Sequence, residues 1–118
     1  MGRGLSDMQQ AALRMAYENK QAGKRYTSGG HELPQVALWE FLAQWYKWPV
    51  NRSIYVQQRF NSSAIGEGEY KAGKAAASRA ISRLVERGLV RRTKAIIATS
   101  SGYELTEEGE RVARELIG

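Results

Sequence analysis

Apolar residues recur every three or four positions in four stretches of this chain, and turn-forming residues separate those stretches. Leu5, Met8, Ala12 and Met15 form the first stripe, with Leu13 and Tyr17 beside it, the spacing of one helix face. Ser6 followed by Gln9 fits a capping box, and Asp7 favours the positive end of a helix. A helix is therefore predicted over residues 7–21, closed by Gly23. Ser28-Gly29-Gly30 marks residues 24–33 as a loop. Pro34 suits a first helical turn, and residues 34–47 are apolar nearly all round. Val36, Leu38, Trp39, Phe41, Leu42, Ala43, Trp45 and Tyr46 leave only Glu40, Gln44 and Lys47 as a polar stripe. A helix of that kind is either central to a core or part of a subunit interface.

Trp48-Pro49 breaks the second helix. Ile54, Tyr55, Val56 and Phe60 fit a short strand or a short helix equally well, and residues 61–69, with two serines and two glycines, read as loop. A third helix is expected over residues 73–87, with Ala77, Ala80, Ile81, Leu84 and Val85 inward and Ser78, Arg79, Ser82, Arg83 and Glu86 outward. Gly88 follows the last periodic turn and suits a left-handed C-terminal cap. Residues 89–98 and 102–105 read as two antiparallel strands around a polar turn, Thr99-Ser100-Ser101-Gly102. Thr106 then caps a last helix over 106–117, with Glu107 and Glu108 in its first turn and Val112, Ala113, Leu116 and Ile117 as its stripe.

Charge changes the picture at one place. Residues 71–94 hold Lys71, Lys74, Arg79, Arg83, Arg87, Arg91, Arg92 and Lys94 against the single acid Glu86, a net +7 in a chain whose total is +6. A surplus that local is an electrostatic footprint whose natural partner is a polyanion. At 118 residues the chain is one domain, 1–118, and its 42% apolar content supports a real core. It has no cysteine and one histidine, His31, a poor basis for a metal site. No apolar run approaches a membrane span and the first residues lack a secretory core, so a cytoplasmic protein with no membrane partner is expected.

A short helix, a glycine stop and a basic strand resemble the recognition helix and first wing strand of a winged helix-turn-helix domain. The residues that carry the resemblance are Ser78-Arg79 and then Arg83-Leu84-Val85-Glu86-Arg87-Gly88-Leu89-Val90-Arg91-Arg92. They are similar to the pattern of bacterial and archaeal winged-helix regulators of the multiple-antibiotic-resistance-regulator (MarR) type. Leu105-Thr106-Glu107-Glu108-Gly109 also resembles the junction that follows the wing in that family. The implied fold is mainly α with a small β-wing: a three-helix core, a two-stranded antiparallel wing over 89–105 and a C-terminal helix. The glycine-containing loop expected at 61–69 departs from the family, which places a short helix just before the recognition helix.

The implied function is sequence-specific binding of double-stranded DNA by a transcriptional regulator, acting as a homodimer on a pseudo-palindromic site. In that reading Ser78, Arg79, Ser82 and Arg83 face base edges and nearby phosphates. Lys71, Lys74, Arg91, Arg92 and Lys94 hold phosphates, and Thr99, Ser100 and Ser101 lie at the wing tip. Arginine bridges guanine O6 and N7, whereas serine is less selective. Two alternatives stand beside this reading. One is a winged-helix protein–protein interaction module using Ile96, Ile97 or the tryptophans, since a fold does not entail a function. The other is a plasmid or viral replication-associated DNA-binding factor.

Other chemistry finds little footing. Gly68-Glu69-Tyr70-Lys71-Ala72-Gly73-Lys74-Ala75 nearly matches a P-loop, but Ala75 lacks the hydroxyl that ligates magnesium. Gly73 and Lys74 are instead expected at a helix N-terminus, where free N–H groups favour a DNA phosphate. No nucleophile stands with a base and an orienting acid. Neither an enzyme nor a cofactor is called for.

Overall fold

The computed structural model describes residues 4–22, 27–28, 31–32, 35–51, 60–93 and 102–117. Its first helix, α1 (Asp7–Gln21), starts as its sequence dictates. Ser6 Oγ accepts from the Gln9 N–H at 3.1 Å and Gln9 Oε1 accepts from the Ser6 N–H at 2.9 Å, which satisfies two otherwise free donors reciprocally. Two-residue strands β1 (Thr27–Ser28) and β2 (His31–Glu32) pair antiparallel inside the segment expected to be loop.

The second helix is shorter than its apolar run. Residues Val36–Ala37 form strand β3, and α2 covers only Leu38–Tyr46. Val36 is fully buried and pairs with Tyr103, and Ala37 pairs with Gly102. The expected start at Pro34 fails because these two backbones belong to a sheet. Glu40 Oε1 accepts from the Ala37 N–H at 3.2 Å and closes the new helix start. On α2, Phe41 and Leu42 are buried, Leu38, Trp39, Ala43 and Tyr46 are partly covered, and Trp45 is exposed. The helix is thus a wall of the core and not its axis.

The expected loop at 61–69 is helical. After α3 (Ser62–Ile65), capped by Asn61 Oδ1, one long helix, α4, runs from Glu67 to Glu86. Its buried side holds Gly73, Ala77, Ala80, Ile81 and Leu84, whereas Val85, expected inward, is exposed. Its end is the one expected. Gly88 has φ +75°, its N–H reaches the Val85 carbonyl, and the Leu89 N–H reaches the Leu84 carbonyl, each at 2.9 Å, a Schellman closure.

Strands β4 (Val90–Thr93) and β5 (Gly102–Leu105) pair antiparallel, and β5 pairs on its other edge with β3. The result is a three-stranded sheet of order β3-β5-β4 where two strands were expected. Gly102 makes the third strand possible, because a Cβ there would stand 1.9 Å from the Val36 carbonyl oxygen. The last helix, α5 (Glu107–Ile117), packs on α1 and buries Gly109, Val112 and Ala113, while Ile117 is exposed. Thr106 Oγ1 accepts from the Gly109 N–H at 3.0 Å as expected of a cap. Lys20 Nζ meets Glu110 Oε2 at 2.6 Å and ties α1 to α5. The protein is an α+β fold of mainly helical content with a small three-stranded antiparallel sheet beside the β1–β2 pair.

One residue joins the layers. Tyr103, on the middle strand, is fully buried. Its hydroxyl donates to the Ala12 carbonyl of α1 at 2.8 Å, and its ring meets Phe41 of α2 edge-on at 6.5 Å between centroids. Burial, and secondarily the charge of Glu40, raise its phenol well above the ordinary value. Tyr103→Phe is expected to cost about 1 kcal/mol, the net worth of one hydrogen bond, measured by urea denaturation at pH 7. The neutral phenol is favoured by the fold, so its contribution is complete below the ordinary tyrosine pKa of about 10 and is lost as pH rises beyond it. The parent should therefore lose stability more steeply than Tyr103→Phe above that pH, and parallel curves would show that this phenol does not drive the loss.

Candidate nucleic-acid interface

Twenty residues of α4 make a rod about 30 Å long and 10–12 Å across. Its outward face carries the residues singled out from sequence. Lys71, Lys74, Arg79 and Arg83 are exposed on it, Ser78 and Ser82 are partly covered, and Arg87 is exposed at its end. Arg91 and Arg92, on β4, are exposed beside it. Helix and strand thus place seven basic residues of the 71–94 segment on one continuous helix–strand unit. Lys94, Thr99, Ser100 and Ser101, and with them the expected wing tip and Ile96 and Ile97, lie outside the described residues.

The basic residues divide between two flanks. Arg79 and Arg83, one turn apart, line an open cleft of about 540 Å³ between α4 and the start of α1, floored by Leu5, Met8, Ala76 and Ala80. Lys71 and Lys74 line a second hollow of about 340 Å³ with Ser62, Glu67 and Tyr70. Lys74 Nζ sits 5.1 Å from the centre of the Tyr70 ring, a cation held by the negative face of an aromatic system. Tyr70 in turn packs with Trp48 and Phe60, at centroid separations of 5.7 and 5.9 Å. The rings of this cluster pack on one another. Tyr70 was not singled out from sequence, although its spacing to Lys74 is that of one helical turn.

The strand arginines are both engaged. Arg91 Nε meets Glu104 Oε1 at 2.7 Å across the β4–β5 ladder, where the two residues are register partners. Both are solvent-accessible, and such a pair is worth about 0–1 kcal/mol, so a phosphate competes readily for Arg91. Glu104 was likewise missed from sequence, since only the register reveals it. Arg92 turns the other way. Its Nη2 donates to the Ser78 carbonyl at 3.0 Å, to Ser78 Oγ at 3.3 Å and to Ser82 Oγ at 2.7 Å. The two serines expected to face base edges are therefore acceptors for a neighbouring arginine.

The anion site expected at Gly73 and Lys74 is overturned. Both residues lie inside α4, which begins at Glu67, so their N–H groups belong to the helix ladder and not to a free terminus. The actual first turn carries Glu67 and Glu69, which complement the dipole themselves and repel an anion. The resemblance of residues 68–75 to a P-loop falls with it, since that stretch is helix. Gly73 has a packing role instead. A Cβ there would stand 2.5 Å from Trp48 Cη2 and 3.1 Å from Tyr46 Cε2, and Trp48 stacks on Tyr46 at 4.5 Å. Among the described residues no group of three or more histidine, cysteine or acidic side chains could hold a metal ion, and no helix is long and apolar enough to cross a membrane.

No family model matches the chain, and no curated protein or solved structure matches it significantly.

The Gly73 contact yields a test in which two effects oppose. Alanine gains about 1 kcal/mol in helix propensity, but overpacking a fixed neighbour costs about 1–3 kcal/mol. Trp48 is wedged among three other rings, so Gly73→Ala should be destabilised in thermal unfolding and should shift the tryptophan emission. A variant more stable than the parent would mean that Trp48 yields freely.

Proposed function

We propose that this protein is a sequence-specific double-stranded-DNA-binding regulator of the winged helix-turn-helix type, acting in the cytoplasm, with α4 in the major groove and the β4–β5 hairpin against the backbone. The observation that carries the reading is the exposure of seven basic residues on one contiguous α4–β4 unit. Supporting it is the order of elements: a long amphipathic helix, a glycine closure and an antiparallel hairpin directly after it. A helix 10–12 Å across fits a groove about 12 Å wide. In this reading Arg79 and Arg83 reach guanine edges or phosphates from one flank, and Lys71 and Lys74 hold phosphates on the other. The alternative, a protein-interaction module, rests on Trp45, Val85 and Ile117, which are exposed but stand on three different helices. It does not account for the charge.

Affinity for a duplex chosen from a random pool is expected to fall steeply with salt, by a slope of about 0.9 per neutralised phosphate. Lys74→Ala should weaken all duplexes alike and flatten that slope. Arg79→Ala should cost about 1–3 kcal/mol at one base pair only, if that arginine reads a base edge. Fluorescence anisotropy at several salt concentrations measures both, and duplex binding that ignores salt would refute the proposal.

One recognition helix reads too few base pairs to find a site among genomic competitors. A homodimer on a pseudo-palindromic site doubles the readout, with half-sites about 34–36 Å apart. α1 is engaged by α5, so among the described residues the exposed Trp45 of α2 and Ile117 of α5 are the large apolar side chains outside α4 available for pairing. Sedimentation across a concentration series should show a dimer in the presence of the selected duplex, and a monomer on DNA at high micromolar concentration would exclude it.

A further inference from the structure

Arg92 spends one nitrogen on α4 and keeps the others. A guanidinium has five N–H donors, of which Nη2 supplies two. Those two serve the Ser78 carbonyl and the hydroxyls of Ser78 and Ser82, while the side chain as a whole stays exposed. Among the described residues its Nη1 amino group has no partner. Ser78 and Ser82 lie one helical turn apart, so one face of α4 offers both hydroxyls to the same nitrogen. Arginine is among the most rotamer-rich side chains, and a group already held in one geometry loses less freedom on binding.

We infer that Ser78 and Ser82 are positioning residues for Arg92, holding its Nη2 on α4 so that its Nη1 amino group is presented to a phosphate of the DNA backbone. The inference rests on the DNA-binding reading and reverses one part of it, for the serines then carry no base sequence. It also links helix to hairpin: the contact that fixes Arg92 fixes β4 against α4, so one phosphate reports the position of both.

Three variants test it: Ser78→Ala/Ser82→Ala, Arg92→Ala and Arg92→Lys. Alanine is the best helix former, so the double serine variant keeps α4. In the free protein, the guanidinium ¹⁵N–¹H spectrum should show resolved Arg92 Nη signals in the parent, averaged in the double serine variant. On DNA, that variant should bind the selected duplex and an unrelated duplex roughly 3- to 10-fold more weakly, equally for both, as loss of charge-assisted hydrogen bonds of modest net worth implies. Its salt slope should match the parent's, because the charge remains. Arg92→Ala should flatten the slope by about 0.9. Arg92→Lys should keep the slope but weaken binding like the serine variant, since an ammonium lacks the planar fork.

Loss confined to the selected duplex in the serine variant would make the serines base readers and overturn the inference. So would an unchanged slope in Arg92→Ala, or averaged Nη signals in the parent. A parent that binds no duplex would remove the phosphate contact together with the DNA-binding reading, and the spectra of the free protein would still decide whether the serines hold Arg92.

Discussion

The buried phenol of Tyr103 is the constraint on which the arrangement depends. A hydroxyl taken out of water without a partner costs several kcal/mol on an apolar scale, roughly 2–7, so the Ala12 carbonyl at 2.8 Å dictates where the middle strand must lie against α1. Because β5 pairs on both edges, that one placement sets β3 and β4 as well. The register carries it further. Arg92 stands opposite Tyr103 and Arg91 opposite Glu104, and directly opposed residues share a face of the sheet. Arg92 therefore points to the helical side, where Ser78 and Ser82 receive it, and Arg91 points away to its acid partner. The position of a surface charge is thus decided by a tyrosine in the core.

Much of the frame was legible locally. The capping box at Ser6, the glycine closure at Gly88 and the cap at Thr106 each involve residues a few positions apart, and each formed where the pattern placed it. The failures were all non-local. Strand β3 is two residues long, too short to display an alternation, and it exists because Gly102 lets another backbone approach. The start of α4 was hidden by Gly66 and Gly68, which mark 61–69 as loop, and by Gly73, which reads as a helix N-terminus. Gly73 lies in a helix because Trp48 occupies the space that its side chain would have taken, a tertiary reason that no window of sequence contains. The outward basic face was legible because it needs only periodicity. The engagement of the serines by Arg92 was not, because it needs the strand to be folded back on the helix.

The charges of the fold are segregated as well as abundant. On α5, Arg111 pairs with Glu108 and Glu115, and Arg114 and Lys20 both meet Glu110. The Lys20 contact, above all, holds the Glu110 carboxyl below its ordinary pKa. Positive charge on that side is answered locally. On the α4–β4 side, by contrast, Glu104 answers Arg91 and Tyr70 offers Lys74 only the face of a ring. Among the described residues, then, α5 mixes its charges into ion pairs, whereas α4 and β4 carry seven exposed basic residues together.

The junction below the hairpin has a different significance. Thr106 Oγ1 donates to the Gly88 carbonyl at 2.6 Å, the Thr106 N–H reaches the Leu89 carbonyl at 3.1 Å, and a Cβ on Gly109 would stand 1.7 Å from that same Leu89 oxygen. The chain thus departs from α4 and returns to α5 through a single knot, fastened whatever happens between. The end of α4 and the start of α5 are therefore joined by Gly88, Leu89, Thr106 and Gly109 themselves, through contacts that no side chain of β4 or β5 supplies. Side-chain changes along the two strands thus leave the joint between these helices as it is.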